Sequence, residues 1–297
     1  MKTLTVFANM IRWKNLLLLF FSLFLFKYRL FVFFETTSIL SDFQFFIFLI
    51  SVLFIALGGY LINDYFDIEC DLINKPEKVY VPNIISKRNL IYLYTFITAV
   101  GVSAGIYLSL ILDRNFYALI FIGIAFLLFI YSYRLKAIAI IGNITIATLI
   151  AYTTILLLLI DTDMNVENQG VFLLILLAVF SFLLNFQREL VKDIEDIQGD
   201  YKARYKTLPI ILGIERTVKI ILTLSVLPLY LLIDFIWRYF EGQVYVQIFG
   251  FFFIIIPYIF FCYTLHKATH KKEFHQASSL LKFILASGLL LILLTTI

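Results

Sequence analysis

The stretch LINDYFDIECDLINKP, residues 61–76, sets Asp64, Asp67, Glu69 and Asp71 directly behind a greasy run, in a chain of 297 residues that is 62% hydrophobic. Charged residues make up only 15% of the sequence and the mean hydropathy is +0.96, whereas roughly a quarter of a soluble globular domain is charged. Apolar runs approaching the ~20 residues that cross a bilayer recur along the whole chain. The sequence therefore reads as one integral membrane domain, residues 1–297, with spans at 16–34, 44–62, 90–112, 115–131, 139–160, 171–187, 218–237, 244–265 and 279–296. The predicted fold is an all-α bundle of nine transmembrane helices, and the opening stretch closes the second of them.

Charge sorts the loops between these spans. Of the 24 lysines and arginines, all but Lys27, Arg29, Arg114 and Arg238 fall on the side shared by the N-terminus and the loops after spans two, four, six and eight. The positive-inside rule then puts the N-terminus and the acidic stretch in the cytoplasm and the C-terminus outside, in a multi-pass protein of the cell (plasma or inner) membrane. The first span is long, carries Lys27 and Arg29 near its far end and lacks a small-residue cleavage site, so it reads as a retained helix. Cys70 and Cys262 read as small apolar residues, since Cys70 falls on the reducing side. Orientation and anionic headgroups account for the net charge of +4, which gives no reason to invoke nucleic acid.

A second acidic stretch, KDIEDIQGDYKARYKTLP at 192–209, follows the sixth span. Asp193, Asp196 and Asp200 repeat the separations of Asp64, Asp67 and Asp71: three residues, then four. Steps of three and four return to one face of a helix, so each trio predicts an acidic stripe, with Glu69 and Glu195 on the opposite faces. Both stretches emerge on the same side of the membrane, where the stripes can face each other. Acidic residues at a helix C-terminus oppose its dipole, so capping explains them poorly.

Carboxylates buried at this density need a cation. Two of them about 5 Å apart repel by roughly 3 kcal/mol at an effective dielectric of 20. Oxygen-only clusters on helices suit hard divalent ions, with Mg²⁺ favoured where phosphate oxygens complete the octahedron. His266, His270 and His275 sit together among Lys267, Lys271 and Lys272, and read as a solvated basic loop end. Each acidic stretch is accompanied by cations: Lys75, Lys78, Lys87 and Arg88 after the first, Lys192 before the second and Lys202, Arg204 and Lys206 after it. Carboxylates, metal and lysines together describe a diphosphate site.

The run Asn63-Asp64-Tyr65-Phe66-Asp67-Ile68-Glu69-Cys70-Asp71, with Asn74-Lys75-Pro76 behind it, resembles the NDxxDxxxD signature of the UbiA superfamily of intramembrane prenyltransferases. Asp193 to Asp200 is similar to that superfamily's second motif. Ile11-Arg12-Trp13-Lys14-Asn15 agrees too, as does the stretch from Tyr131-Ser132 through Leu135-Lys136 to Gly142-Asn143. The resemblance implies a nine-helix bundle around a central cavity under cytoplasmic Asp-rich loops. It also implies transfer of a prenyl group from a prenyl diphosphate to a hydrophobic acceptor drawn from the membrane. By that analogy Asn63, Asp67, Asp196 and Asp200 would bind two Mg²⁺ ions, with Asp64, Asp71 and Asp193 as further ligands or as partners of the ligands. Lys75, Lys78, Lys136, Lys192 and Lys206 would be the diphosphate candidates, and Tyr131 would line the prenyl pocket. Lysine at 75 and 78 stands where many members carry arginine, which replaces a bidentate donor by a point charge.

The run from Arg188 to Asp196, ending in Lys206-Thr207-Leu208-Pro209, is most similar to the branch that adds a geranylgeranyl group to geranylgeranylglyceryl phosphate in ether-lipid synthesis. The alternatives are an aromatic prenyltransferase acting on 4-hydroxybenzoate or a naphthoate, a cyclase or hydrolase on the same scaffold, and, from another class, a secondary transporter. A transporter would carry its acids near the bilayer midplane and Gly/Pro breaks within its helices. Here the acids lie at span ends, and only Pro228 and Pro257 fall inside spans.

Overall fold

The computed structural model describes residues 8–76, 79 and 84–295, so Lys78 lies outside the described residues. The described residues form helices joined by turns and short irregular segments. In order, α1 is Trp13–Leu25, α2 Asp42–Phe66, α3 Ile68–Asn74, α4 Lys87–Ile111, α5 Phe116–Tyr133, α6 Ile141–Asp161, α7 Gln169–Glu195, α8 Ile197–Lys202, α9 Leu208–Leu212, α10 Ile214–Tyr239, α11 Val244–Lys267 and α12 Lys271–Thr295. Among the described residues no strand forms; the isolated bridge Ile138–Lys206 is the only β-type pairing. Local chemistry starts several of these helices. Ser41 and Gln44 cap α2 reciprocally, Ser86 accepts from Asn89 N at 3.2 Å, and Asn168 accepts from Gly170 N and Val171 N at the head of α7.

Eight of these helices, namely α2, α4 to α7 and α10 to α12, are long and apolar enough to cross a membrane. The nine-span expectation departs from this at its first segment. There regular α-helix lasts only 13 residues before Phe26–Phe31 winds as a π-helix. A π turn takes in an extra residue, and here Lys27 points into the protein. Its Nζ meets Asp161 Oδ2 at 2.8 Å, Leu40 O at 2.9 Å and Ser38 Oγ at 2.5 Å. A charge inside an apolar run has to find such partners.

Large apolar side chains cover the outside, as lipid allows, with Phe43, Phe96, Phe126 and Tyr245 all exposed. The interior is packed by Phe48, Phe121, Tyr258 and Phe261. Helices α2 and α4 approach closely where Gly101 faces Ile55, since a Cβ at Gly101 would lie 2.9 Å from Ile55 N. The start of α1, the ends of α2 and α7, the turn after α5 and the start of α12 converge on one mouth of a shared cavity.

Candidate active site

The helix carrying each acidic motif bends at its middle aspartate. Asp67 has φ −89° and ψ 1°, between α2 and α3, and Asp196 has φ −102° and ψ 9°, between α7 and α8. Both lie in the sparsely occupied bridge region between helix and strand. The chain stays hydrogen-bonded through each bend, with Asp71 N donating to Asp67 O at 2.8 Å and Asp200 N to Asp196 O at 3.2 Å. The expected straight acidic stripes are therefore corrected: the two motifs share a backbone bend as well as a spacing. The bend exposes the carboxylates of Asp67 and Asp196 to the cavity, which all six motif aspartates and Asn63 line.

The two bent segments are tied to each other. Asn74 Nδ2 donates to Asp196 O at 2.9 Å, and Gly199 N donates to Asn74 Oδ1 at 2.9 Å. A Cβ at Gly199 would come within 2.6 Å of Cys70 O, so α3 and α8 can meet this closely only at a glycine. Cys70 Sγ donates to Asp200 Oδ1 at 3.2 Å, which corrects the reading of Cys70 as a merely apolar residue. Replacing Asn74 by Ala would leave the buried Gly199 N–H unpaired, at about 1–3 kcal/mol, and would take from Asp196 O one of its two donors, the other being Asp200 N. We expect the thermal midpoint of the purified N74A protein in detergent to fall by at least several degrees; an unchanged midpoint would show that the tie carries no stability.

Cations sit on the motif carboxylates. Lys136 Nζ pairs with Asp67 Oδ1, Arg12 Nη2 with Asp64 Oδ1 at 3.0 Å, and Lys75 Nζ with Asp196 Oδ2 at 2.7 Å. Asn63 Nδ2 donates to Asp67 Oδ2 at 2.6 Å and Asn143 Nδ2 to Asp193 Oδ2 at 2.9 Å. Lys75 is thus a bridge from the first motif to the second. Asp196 Oδ1 is buried without a hydrogen-bond partner. The Lys271 ammonium stands 4.0 Å from that oxygen. Burial, reinforced by the charge of Asp67, pushes the Asp71 carboxyl up to about 6; burial, with Asp196 and Asp67 nearby, pushes Asp200 up to about 7. Desolvation, reinforced by the charge of Asp67, holds the half-buried Tyr205 phenol above its ordinary range, and its ring lies 5.9 Å from Lys136 Nζ.

Below this polar mouth the cavity runs into apolar walls that include Leu128, Leu177, Phe180 and Ile254, with Tyr131 between the two zones. Its volume is ≈ 1150 Å³, above the roughly 300–1,000 Å³ of ordinary small-molecule pockets. The arrangement is a charged head site over a hydrophobic chamber, suited to a ligand with an anionic head and a long apolar tail.

The UbiA prenyltransferase family model matches residues 18–287. The chain belongs to this family. It is 33% identical to the digeranylgeranylglyceryl phosphate synthase of Methanosphaera stadtmanae over 77% of this chain and 79% of that one. With the synthase of Thermococcus gammatolerans it is 38% identical, and the match spans about half of each chain, 52% of both. A solved structure from a study of digeranylgeranylglyceryl phosphate synthase in membranes superposes with a TM-score of 0.64 at 25% identity, covering 99% of this chain and 98% of that one. A UbiA homolog from Archaeoglobus fulgidus, bound to GPP and Mg²⁺, has the same fold, with a TM-score of 0.58 at 16% identity over 97% of this chain and 99% of that one.

Other predicted residues of this UbiA family chain fall differently. Lys192 lines the cavity but donates to Glu189 at 2.9 and 3.0 Å and not to a motif aspartate. Lys206 is exposed and lies outside the cavity lining. Its backbone N donates to Ala137 O at 2.8 Å, which fastens the Lys136 turn to the tail of the second motif. Glu195, expected on the opposite face, is buried in the cavity wall, 3.9 Å from Lys75 Nζ and 3.1 Å from His275 Nδ1. His275 is thus engaged at the mouth, while His266 and His270 are exposed as expected. Residues that reading of the sequence passed over include Asn74, Gly199, Tyr205 and Lys271, whose Nζ donates to Asn74 O at 2.6 Å. The motif spacing held no signal for them, since Ala203 stands at the position equivalent to Asn74 and Cys70 at that equivalent to Gly199.

Proposed function

We propose that this chain transfers a geranylgeranyl group from geranylgeranyl diphosphate to the free hydroxyl of geranylgeranylglyceryl phosphate, forming digeranylgeranylglyceryl phosphate. The observation that carries this reading is the pairing of two bent Asp motifs, each already holding a lysine, over a chamber roomy enough for two lipid tails. The names borne by the matched relatives agree with it.

The residues present suit Mg²⁺. Among the described residues no three metal-binding side chains close on one point. Mg²⁺ is commonly held by one or two carboxylates with water and substrate phosphate filling its octahedron, and the motif aspartates lining the cavity would supply those carboxylates. Asp67 and Asp196 would be its first contacts, helped by Asn63 and Asp200, and the doubled motif suits two ions. When bound, the metal neutralises charge on the departing diphosphate. Lys136 and Lys75 can turn from their aspartates to the phosphate oxygens once a metal takes the carboxylates. The donor's C1–O bond breaks with its electron pair leaving on diphosphate, the acceptor oxygen bonds C1, and the hydroxyl proton is released. Tyr131 and the apolar walls shield the allylic cation from water, with the aromatic face stabilising its charge. The same reading takes α1 and its π turn as a ninth crossing, with the N-terminus and motif mouth cytoplasmic in the cell membrane.

Purified protein incubated with Mg²⁺, geranylgeranyl diphosphate and geranylgeranylglyceryl phosphate, 4-hydroxybenzoate or a naphthoate should yield a prenylated product, by mass spectrometry, only with the glycerol phosphate lipid. Product from an aromatic acceptor alone would overturn the acceptor. Proton linkage gives a second check. Asp71 and Asp200 hold protons in the metal-free fold that the unfolded chain has already released above about pH 4, so metal-free stability declines as pH rises through about 6 to 7. Mg²⁺ needs both carboxylates ionised. The rise in thermal midpoint on adding Mg²⁺ should therefore grow between about pH 5.5 and 7.5; a pH-independent rise would contradict the assignment of these two groups.

A further inference from the structure

The cavity mouth holds a second cluster of charge, of opposite sign to the Asp motifs. Arg188 and Lys192 on the last turns of α7, Lys14 on the first turn of α1 and Lys282 on α12 all line it. Lys282 Nζ is held by Asn15 Oδ1 at 2.6 Å, and Arg188, Lys14 and Lys192 all act on its ammonium through space. Among the described residues Glu189 is the one carboxylate bonded into this group. It accepts from Lys192 at 2.9 Å and from Arg188 Nη1 at 3.2 Å. Arg188 Nε, pointing elsewhere, is buried without a hydrogen-bond partner. Arg12, Lys75 and Lys136 sit on motif aspartates, but none of the described ion pairs joins these four cations to one.

Four cations around one carboxylate repel one another beside apolar walls, and such a group is maintained where an anion visits it. The free face of a guanidinium with flanking ammonium groups matches a phosphate, which takes a fork from Arg and point charges from Lys. The donor's diphosphate is already provided for on the other side of the mouth.

We propose that Lys14, Arg188, Lys192 and Lys282 form a second anion site that takes the phosphate monoester of the acceptor lipid. The site rests on the transfer reading above. It gives the acceptor a fixed head position across the mouth from the donor's diphosphate, and moves Lys192 from the diphosphate to the acceptor. An acceptor without a phosphate lacks this anchor.

The test uses Lys282→Gln and Lys282→Arg in the full-length protein, with geranylgeranylglyceryl phosphate or its dephosphorylated alcohol as acceptor. Loss of one charged hydrogen bond to phosphate is worth roughly 10-fold or more in binding. K282Q should raise the KM for the phosphorylated acceptor by that factor and K282R should restore it, with the KM for geranylgeranyl diphosphate and for the alcohol unchanged. The unchanged donor KM also shows that the variant folds. Equal loss with both acceptors, or a shift in the donor KM instead, would overturn the proposal. If the wild type transfers to no glycerol phosphate lipid, the transfer reading fails by itself. Calorimetric binding of that lipid to the metal-free protein in detergent then decides the site: weakened binding in K282Q supports it, and equal binding overturns it.

Discussion

Alanine at Asp67 or Asp196 is expected to lower Mg²⁺-dependent turnover of geranylgeranyl diphosphate by on the order of 1,000-fold, comparable to deleting a main charge-stabilising group from an active site. Each of these aspartates stands at a bend that turns its carboxylate to the cavity, and each holds the lysine best placed to move onto phosphate. Removing one would take away a proposed metal contact, and would leave Lys136 without its partner or Lys75 with only Glu195 at 3.9 Å. The effect should fall on turnover rather than folding, so the thermal midpoint of either variant should stay within a few degrees of wild type. Turnover retained in both variants would refute the assignment of the motifs.

The largest expected change in stability lies at the other end of the bundle. Lys27 is 5% exposed and Asp161 fully buried, and they meet at 2.8 Å. Breaking such a pair from one side leaves an uncompensated buried charge, at about 3–5 kcal/mol. Lys27→Met should therefore depress the thermal midpoint strongly. Asp161 Oδ1 also accepts from Leu40 N at 2.7 Å and from Ser38 Oγ at 2.8 Å. The double variant K27M/D161N keeps that acceptor while removing both charges, and should recover most of the loss. If the double variant is no more stable than K27M alone, the penalty comes from packing and not from charge.

These particulars show what the sequence could and could not convey. The paired Asp trios were legible because helical spacing is a local property, and their shared side followed from counting spans. The bends at Asp67 and Asp196 were not, since a straight helix and a bent one carry the same spacing. Glu195 was misread for that reason: a helical wheel points it away, while the bend and the packing of α12, some 80 positions later, bring His275 to it. Lys206 shows that nearness in sequence does not set direction, because its backbone is claimed by Ala137. Lys192 was open to better reading, as Glu189 stands three residues before it on the same helical face. The π turn at Phe26–Phe31 left one trace in the sequence, a lysine inside an apolar run.

Asn74 grips the second motif by backbone atoms, the Asp196 carbonyl and the Gly199 amide, and is itself held through its carbonyl by Lys271. No aspartate side chain takes part in these bonds. Across the same joint Lys75 reaches Asp196 and Cys70 reaches Asp200, so those two carboxylates belong to the frame as well as to the chemistry. Asp64 bonds Arg12 and Asp193 bonds Asn143, away from the joint, so these two can be exchanged while it stays closed.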